Sequence, residues 1–145
     1  LKPDAGTAFI NGVDIVKYPV DAKRLLGFVP DSAAVYESLT GLEFLLMIAA
    51  LYGVGEDKAV PRIWQFLNLF DMEEDMLTKK LLGTYSKGMR QRIKLASALV
   101  HDPTVLLLDE PFNGVDPRQR MHLMELLQQM GAEGRTVLFS SHILE

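Results

Sequence analysis

The feature that most constrains the fold is an apolar run that ends in two adjacent carboxylates, Val105–Leu108 followed by Asp109 and Glu110. Four apolar residues without polar alternation predict a parallel strand buried on both faces. A helical pattern follows, and Thr136–Ser140 is predicted to be another buried strand. Strands that alternate with helices predict an α/β fold, in which helices cover a parallel sheet.

The two carboxylates give this strand end a candidate chemistry. The carboxyl end of a parallel strand is where α/β proteins bind ligands. Neighbouring residues point to opposite faces of a strand, so one carboxylate can serve a metal and the other a water molecule. Phosphoryl transfer needs this division, because Mg²⁺ neutralises phosphate charge while a carboxylate orients or deprotonates the attacking water. The pattern alone also fits two solvated carboxylates.

Local signals predict the other elements and their ends. The predicted elements are strands at Thr7–Ile10 and Val13–Ile15 joined by Asn11-Gly12, a strand at Gly27–Val29, a loop at Asp31–Ser38, and helices at Thr40–Gly53, Lys58–Leu69, Glu73–Leu77, Ser86–Val100 and Asp116–Met130. Thr40 and Glu43 form a capping box, and Ser86 and Asp116 are predicted N-caps. Because Thr40–Val100 contains no predicted strand, we expect an all-helical insertion there.

Composition places the chain among ordinary globular proteins. Its 145 residues suffice for one domain with a sizeable core. A hydrophobic fraction of 48% argues against disorder, and a net charge of −4 argues against nucleic-acid binding driven by net charge. Because cysteine is absent, disulfides and thiolate metal sites are excluded.

No segment of the sequence resembles a membrane span or a signal peptide. The longest apolar run is Phe44–Tyr52, far shorter than the ~20 residues that a spanning helix needs. The chain opens at Leu1 without an apolar signal segment. Since it also lacks an initiator methionine, we expect a fragment cut at both ends.

Two further places carry candidate chemistry. Ser86 followed by Gly88 makes a helix N-terminus suited to an anion, and Lys87 adds positive charge. An ordinary capped helix is the alternative interpretation, with Arg90, Arg92 and Lys94 on a solvated face. His142 emerges after Thr136–Ser140, where an imidazole can contact a γ-phosphate or a water beside the carboxylate pair. His101 and His122 are interpreted as structural or exposed.

Taken together, the order and spacing of these motifs resemble the ATP-binding domain of ABC transporters. Tyr85–Met89 is similar to the signature motif, Val105–Glu110 to the Walker B strand, Gly114–Asp116 to the D-loop, His142 to the switch histidine, Gly27–Asp31 to the Q-loop, and Leu1–Ile15 to the stretch after the Walker A helix. The resemblance implies a P-loop NTPase-like parallel sheet with an all-helical insertion subdomain and an N-terminal antiparallel hairpin. It divides the chain into 1–39, 40–100 and 101–145.

The resemblance also implies a role for each matching residue. Asp109 would hold Mg²⁺ through water, Glu110 would be the general base, and His142 would contact the γ-phosphate. ATP held by the opposite subunit would be bound by Ser86, Lys87 and Gly88. Asp116 would communicate across the dimer. The implied cofactors are ATP and Mg²⁺. The implied partners are a transmembrane permease and a second ATP-binding domain, at the cytoplasmic face of a membrane, with no nucleic acid.

Three departures from the family pattern qualify these roles. Asp31 stands where the family has glutamine, and it can still ligate Mg²⁺ or a water. Lys87 and Met89 stand where glycine and glutamine are common, a form similar to the two-component export subfamily. No G-x-x-x-x-G-K-[ST] phosphate loop occurs in the chain. We interpret its absence as truncation and expect the chain by itself to be inactive.

Two alternatives to a transporter subunit stay open. One is a non-transport ABC ATPase of the translation or DNA-repair kind, and the other is a binding module without catalysis. In a transporter, the helical segment Thr40–Val100 is expected to contain the partner's docking surface, near Val35–Leu39 and the first helix. Tyr36 is either an exposed anchor there or a core aromatic. We also expect Thr136–Ser140 to be an exposed edge through which the fragment self-associates.

Overall fold

The structure, a computed structural model, describes residues 3–31 and 35–142. The elements are β1 (Phe9–Ile10), β2 (Val13–Asp14), α1 (Pro19–Arg24), β3 (Leu26–Val29), α2 (Gly41–Leu51), α3 (Glu56–Leu69), α4 (Glu74–Lys79), a 3-10 turn (Leu82–Thr84), α5 (Lys87–Leu99), β4 (Val105–Asp109), α6 (Pro117–Ala132) and β5 (Thr136–Ser140). Positions 32–34 of the predicted loop, and both chain ends (1–2 and 143–145), lie outside the described residues.

The predicted N-terminal hairpin is confirmed, with shorter strands than expected. β1 and β2 pair antiparallel, and Ile10 is opposite Val13. The turn residues Asn11 and Gly12 both have positive φ, 48° and 79°, the conformation for which Asn-Gly is favoured. The short helix α1 was not predicted, although Pro19 at its first turn is a recognised start signal.

The main sheet has three parallel strands in the order β3-β4-β5. One face buries Leu106 and Leu108 of β4, beneath α5 and α6. The opposite face carries the row Phe28, Leu107 and Leu138, in which Phe28 is 54% and Leu138 is 65% exposed. The prediction that β4 is buried on both faces is therefore wrong for its second face.

The prediction that β5 is a buried strand is also wrong. Four of its five residues are exposed and Val137 is partly buried. The physical reason is position, because β5 pairs only with β4 and so forms an edge of the described sheet. An apolar run in the sequence does not indicate whether the strand pairs with a second neighbouring strand. The expectation of an exposed edge at Thr136–Ser140 is confirmed.

The region from α2 to α5 is helical, as predicted, and closes around its own core. The largest side chains that are fully enclosed there are Leu45, Ile63, Leu77, Leu82 and Ile93. The cluster is continuous with β3, β4 and α6, so the helices and the sheet share one core. The division into three parts remains a prediction.

The predicted helix caps are confirmed. Thr40 Oγ1 accepts from Glu43 N at 3.2 Å, and the Glu43 carboxylate accepts from Thr40 N at 2.8 Å, which completes the capping box. The helix α6 departs from its predicted end, since it continues through Gly131 to Ala132. One glycine costs a helix only about 1 kcal/mol, so the helix ends where Gly134 adopts a φ of 87°.

Candidate functional site

The carboxylate pair lies at the carboxyl end of β4. Asp109 is the last residue of the strand and is exposed, whereas the side chain of Glu110 is only 19% exposed. Asp109 Oδ1 accepts a 2.6 Å hydrogen bond from Ser140 Oγ, at the end of β5. The two carboxylates therefore have different surroundings, which a division of tasks between metal and water requires.

His142 lies against Glu110, so the predicted proximity is confirmed. Its backbone N–H donates to Glu110 Oε1 over 3.0 Å, and its ring Nδ1 lies 2.8 Å from Oε2. Those atoms are close enough for an ion pair when the imidazole is charged, but their angles do not make a hydrogen bond. Oε2 is enclosed and accepts no hydrogen bond from any residue that the structure describes. The imidazole is therefore the polar group that the structure places against Oε2.

The backbone at Glu110 holds this side chain in place. Its φ is 49°, a left-handed conformation that is uncommon outside glycine and costs of order 1–3 kcal/mol. The Glu110 N–H donates to Ser140 O at 3.1 Å, and Asn113 N–H donates to Glu110 O at 3.1 Å. The surrounding bonds impose the turn that directs the carboxylate toward His142. Strained conformations of this kind cluster at functional sites.

The second predicted site is the N-terminus of α5. Ser86 Oγ accepts from Met89 N at 3.2 Å, so the predicted cap is confirmed. The N–H groups of Lys87 and Gly88 belong to the first turn, where a helix has no internal acceptor for its amides. Lys87 is exposed. This geometry suits an anion, and it equally suits an ordinary capped helix.

Gly88 packs against the segment that follows Glu110. A Cβ at Gly88 would lie 2.6 Å from the carbonyl oxygen of Gly114, so only glycine fits without displacement. Gln91 on the same helix donates from Nε2 to the Pro111 carbonyl at 3.2 Å. The residues 111–114 are thereby attached to α5. The close approach that Gly88 permits is thus to another backbone segment of the same chain.

Asp31 belongs to a separate network beside α5. Its Oδ1 accepts from Asn113 Nδ2 at 3.2 Å, and its backbone carbonyl accepts from Lys94 Nζ at 3.1 Å. Burial lowers the pKa of the Lys94 amine, while the nearby Asp31 carboxylate opposes that shift. Asp31 is therefore linked both to α5 and to the segment after Glu110.

Two other predicted residues have clear local roles. Asp116 Oδ1 accepts from Gln119 N at 2.9 Å and caps α6 as predicted. Tyr36 is exposed, with its ring 6.3 Å from that of Phe44, so its interpretation as a core aromatic is wrong.

His101 is structural, as predicted. It is buried and stacks on Tyr52 with ring centroids 3.7 Å apart, and its Nε2 lies 3.0 Å from the Leu26 carbonyl oxygen. Burial is the main cause that lowers its pKa, so the neutral ring is favoured in the folded protein.

The exposed carboxylate at the end of β4 fits a Mg²⁺ ion. Within 3–31 and 35–142, no group of three or more histidine, cysteine or carboxylate side chains could hold a metal ion. Mg²⁺ is usually bound through one or two carboxylates, with waters and substrate phosphates completing its shell. The exposed carboxylate of Asp109 fits one such contact. Asp31, the other predicted metal residue, lies in the Asn113 and Lys94 network.

Four polar residues of the site were not predicted from the sequence. They are Gln91, Lys94, Asn113 and Ser140. Ser140 ends the predicted strand Thr136–Ser140, and Asn113 follows Glu110 by three residues. The closeness of both to the predicted site in the sequence could therefore have identified them as candidates. The roles of Gln91 and Lys94 had none, because an amphipathic helix pattern does not specify which neighbour each polar side chain reaches.

Comparison with known proteins agrees with this geometry. Residues 1–113 match the sequence model of the family described as ABC transporter. The chain is 36% identical to the ABC transporter ATP-binding protein NatA of Bacillus subtilis (strain 168), over 100% of this chain and 58% of NatA. It is 35% identical to the linearmycin resistance ATP-binding protein LnrL of the same organism, over 98% of this chain and 45% of LnrL.

A solved structure of an ATP-binding subunit of an ABC transporter has the same fold. It superposes with a TM-score of 0.89 at 31% identity, and the match covers 99% of this chain and 59% of that one. The chain thus spans about half the length of its relatives. From the family match, the identities and the shared fold, the chain belongs to the ABC transporter family and carries the fold of its ATP-binding domain.

Proposed function

We propose that the protein is the ATP-binding and ATP-hydrolysing subunit of an ABC transporter that powers export across a membrane. The observation that carries this proposal is the cluster of Asp109, Glu110 and His142 at the carboxyl end of β4. An exposed carboxylate, an enclosed carboxylate and an imidazole meet there. Hydrolysis of the phosphoanhydride bond of ATP needs such a set to hold a metal and to orient and deprotonate water.

Each residue of the cluster has a proposed task. Glu110 orients and deprotonates the attacking water, since its side chain is only 19% exposed and its Oε1 is held by the His142 N–H. His142 contacts the γ-phosphate and positions Glu110. Asp109, whose orientation is set by Ser140, would hold Mg²⁺ through water. When bound, Mg²⁺ neutralises the charge of the phosphates.

The N-terminus of α5 is the proposed second phosphate contact. Ser86, Lys87 and Gly88 bind the γ-phosphate of ATP held by a second ATP-binding domain, through first-turn amides and the lysine charge. Asp116 communicates across that dimer. Asp31 takes the place of the Q-loop glutamine and orients a water or Mg²⁺ from its bond with Asn113.

The proposed partners are a transmembrane permease and a second ATP-binding domain. None of the helices in the described part of the chain has the length and apolar character that crossing a bilayer requires. From the family resemblance we propose a peripheral position at the cytoplasmic face, with the permease docked near 35–39. The resistance named for LnrL supports export over the alternatives in translation or DNA repair.

The test is Glu110→Gln in the full protein that carries this chain. An amide cannot take a proton, so ATP hydrolysis should fall by ~10²–10⁴-fold while ATP binding remains. Glu125→Gln, on the exposed face of α6, is the matched control and should hydrolyse at the parental rate. Near-parental hydrolysis in Glu110→Gln would remove Glu110 from the role of base.

The chain by itself should behave differently. Without a phosphate loop, its carboxylates present negative charge to a polyanion, so we expect very weak Mg-ATP binding and no hydrolysis. Calorimetric titration checks this, and micromolar affinity would contradict it.

A further inference from the structure

The guanidinium of Arg90 joins three parts of the chain. Its Nη2 donates to Gly83 O at 2.9 Å, its Nε donates to Tyr85 O at 3.3 Å, and its Nη1 contacts Glu37 Oε1 at 3.1 Å. Arg90 lies one turn after the Ser86 cap, and its backbone N–H donates to Ser86 O at 2.9 Å. One planar fork thus connects the start of α5, the segment before it, and an exposed loop.

Backbone hydrogen bonds fasten the same exposed loop to the segment before α5. Leu82 N–H donates to Leu39 O at 2.8 Å, and Gly83 N–H donates to Glu37 O at 3.0 Å. The pairing is close, since a Cβ at Gly83 would lie 3.1 Å from the Glu37 carbonyl oxygen. Displacement of the loop at 35–39 would therefore pull on residues 82–85, which lead directly into the Ser86 cap.

The ion pair itself adds little stability. The Glu37 side chain is 68% exposed, and exposed pairs of this kind are weak and screened by salt. Two of the three contacts of Arg90 are to backbone carbonyls, so they persist without Glu37. The carboxylate of Glu37 adds a side-chain contact between Arg90 and the loop, beside the backbone bonds from Leu82 and Gly83, and the exposed Tyr36 of this loop is the proposed docking anchor.

We propose that Arg90 and Glu37 are positioning residues that transmit docking at 35–39 to the helix N-terminus at Ser86–Gly88. This inference rests on the proposed function, because it needs a partner that docks on the loop. Neither residue contacts the reacting atoms. Their action is to set the position of the first-turn amides of α5 when the loop is engaged.

The experiment measures ATP turnover of the full protein in liposomes, with and without its membrane subunit. With the membrane subunit at saturating concentration, so that docking is complete, Glu37→Gln should lower the stimulation about fivefold, a typical allosteric coupling. Asp75→Asn is the matched control, because Asp75 is 67% exposed and pairs with Lys79 at 2.9 Å within α4. It should keep full stimulation.

A double-mutant cycle separates transmission from a merely structural effect. Arg90→Lys keeps the positive charge but loses the planar guanidinium with its several N–H donors, and it should lower stimulation as well. Glu37→Gln combined with Arg90→Lys should be no worse than the stronger single variant, since both remove one connection. The proposal would be overturned if the losses of stimulation in the two single variants multiplied in the double variant. It would also be overturned if Glu37→Gln lost basal rate and thermal stability in parallel.

The same experiment distinguishes the positioning role of Glu37 from the transporter function. If the unmodified protein is stimulated by its membrane subunit and Glu37→Gln is stimulated equally, the positioning role is wrong and the transporter function stands. If the unmodified protein shows no stimulation, the proposed function fails and the positioning role fails with it.

Discussion

The helical region from α2 to α5 and the three-stranded sheet bury their apolar side chains to very different extents. Leu45, Ile63 and Leu77 in the helical region are inaccessible to solvent. Phe28 of β3 and Leu138 of β5 stay more than half exposed. The helical region is thus a closed core, whereas the described sheet is covered by helices on one face only.

This difference separates what stabilises the molecule from what carries its candidate chemistry. Asp109, Glu110 and His142 lie at the open sheet, on strand ends and the segments after them. The closed helical region holds α5 rigidly, and α5 in turn presents the Ser86 cap and contacts Pro111 through Gln91. A rigid scaffold that positions exposed polar residues is the usual arrangement at binding and catalytic sites.

The largest expected effect comes from a cavity in the closed core. Ile63→Ala should destabilise the protein by about 2–5 kcal/mol, because it removes fully buried methyl groups and leaves a void. Leu138→Ala on β5 should change stability by no more than about 0.5 kcal/mol. Urea unfolding of both variants measures the contrast. Equal losses would show that the sheet is as tightly packed as the helices.

The open edge should make the chain self-associate. Val137 and Phe139 turn their backbone groups away from β4, and β5 carries no charge or proline that blocks pairing. Leu138→Lys should raise the concentration of half-association by roughly tenfold, or about 1.4 kcal/mol. Light scattering across concentrations measures it, with Met121→Lys on α6 as a control of similar exposure. A chain that stays monomeric at high concentration would contradict edge pairing.

Two helix caps of the closed region offer a finer test. Ser86→Ala and Thr40→Ala should each cost about 1 kcal/mol of stability, because each leaves an amide of the first turn without its acceptor. Only Ser86→Ala should also lower ATP turnover of the full protein beyond what its stability loss explains. If both variants lose stability alone, the N-terminus of α5 is an ordinary cap.

The smallest expected effect is a pH dependence at the boundary between helices and sheet. Burial lowers the pKa of His101 in the folded protein, so its contribution to stability is present above pH 6.5 and is lost as pH falls through the lowered value. His101→Gln should flatten the fall of unfolding free energy between about pH 7 and 5. Denaturant titrations at several pH values measure it, and an unchanged slope in His101→Gln would contradict it.

Local features of the fold were predictable from the sequence. The capping box joins residues three positions apart, and the hairpin turn depends on Asn11 and Gly12 alone. Such features are decided by neighbouring residues, so they survive in almost any tertiary setting. The approach of His142 to the carboxylate pair was also predicted, because the ends of adjacent parallel strands meet at one edge.

Only the tertiary structure decided which surfaces are covered and which polar groups meet. The exposure of β5 depends on the absence of a second neighbour in the described sheet, and no residue of β5 encodes that. The bonds from Ser140 to Asp109 and from Asn113 to Asp31 join residues 31 and 82 positions apart. Contacts at such separations depend on sheet register and helix packing, which are set by the whole core at once.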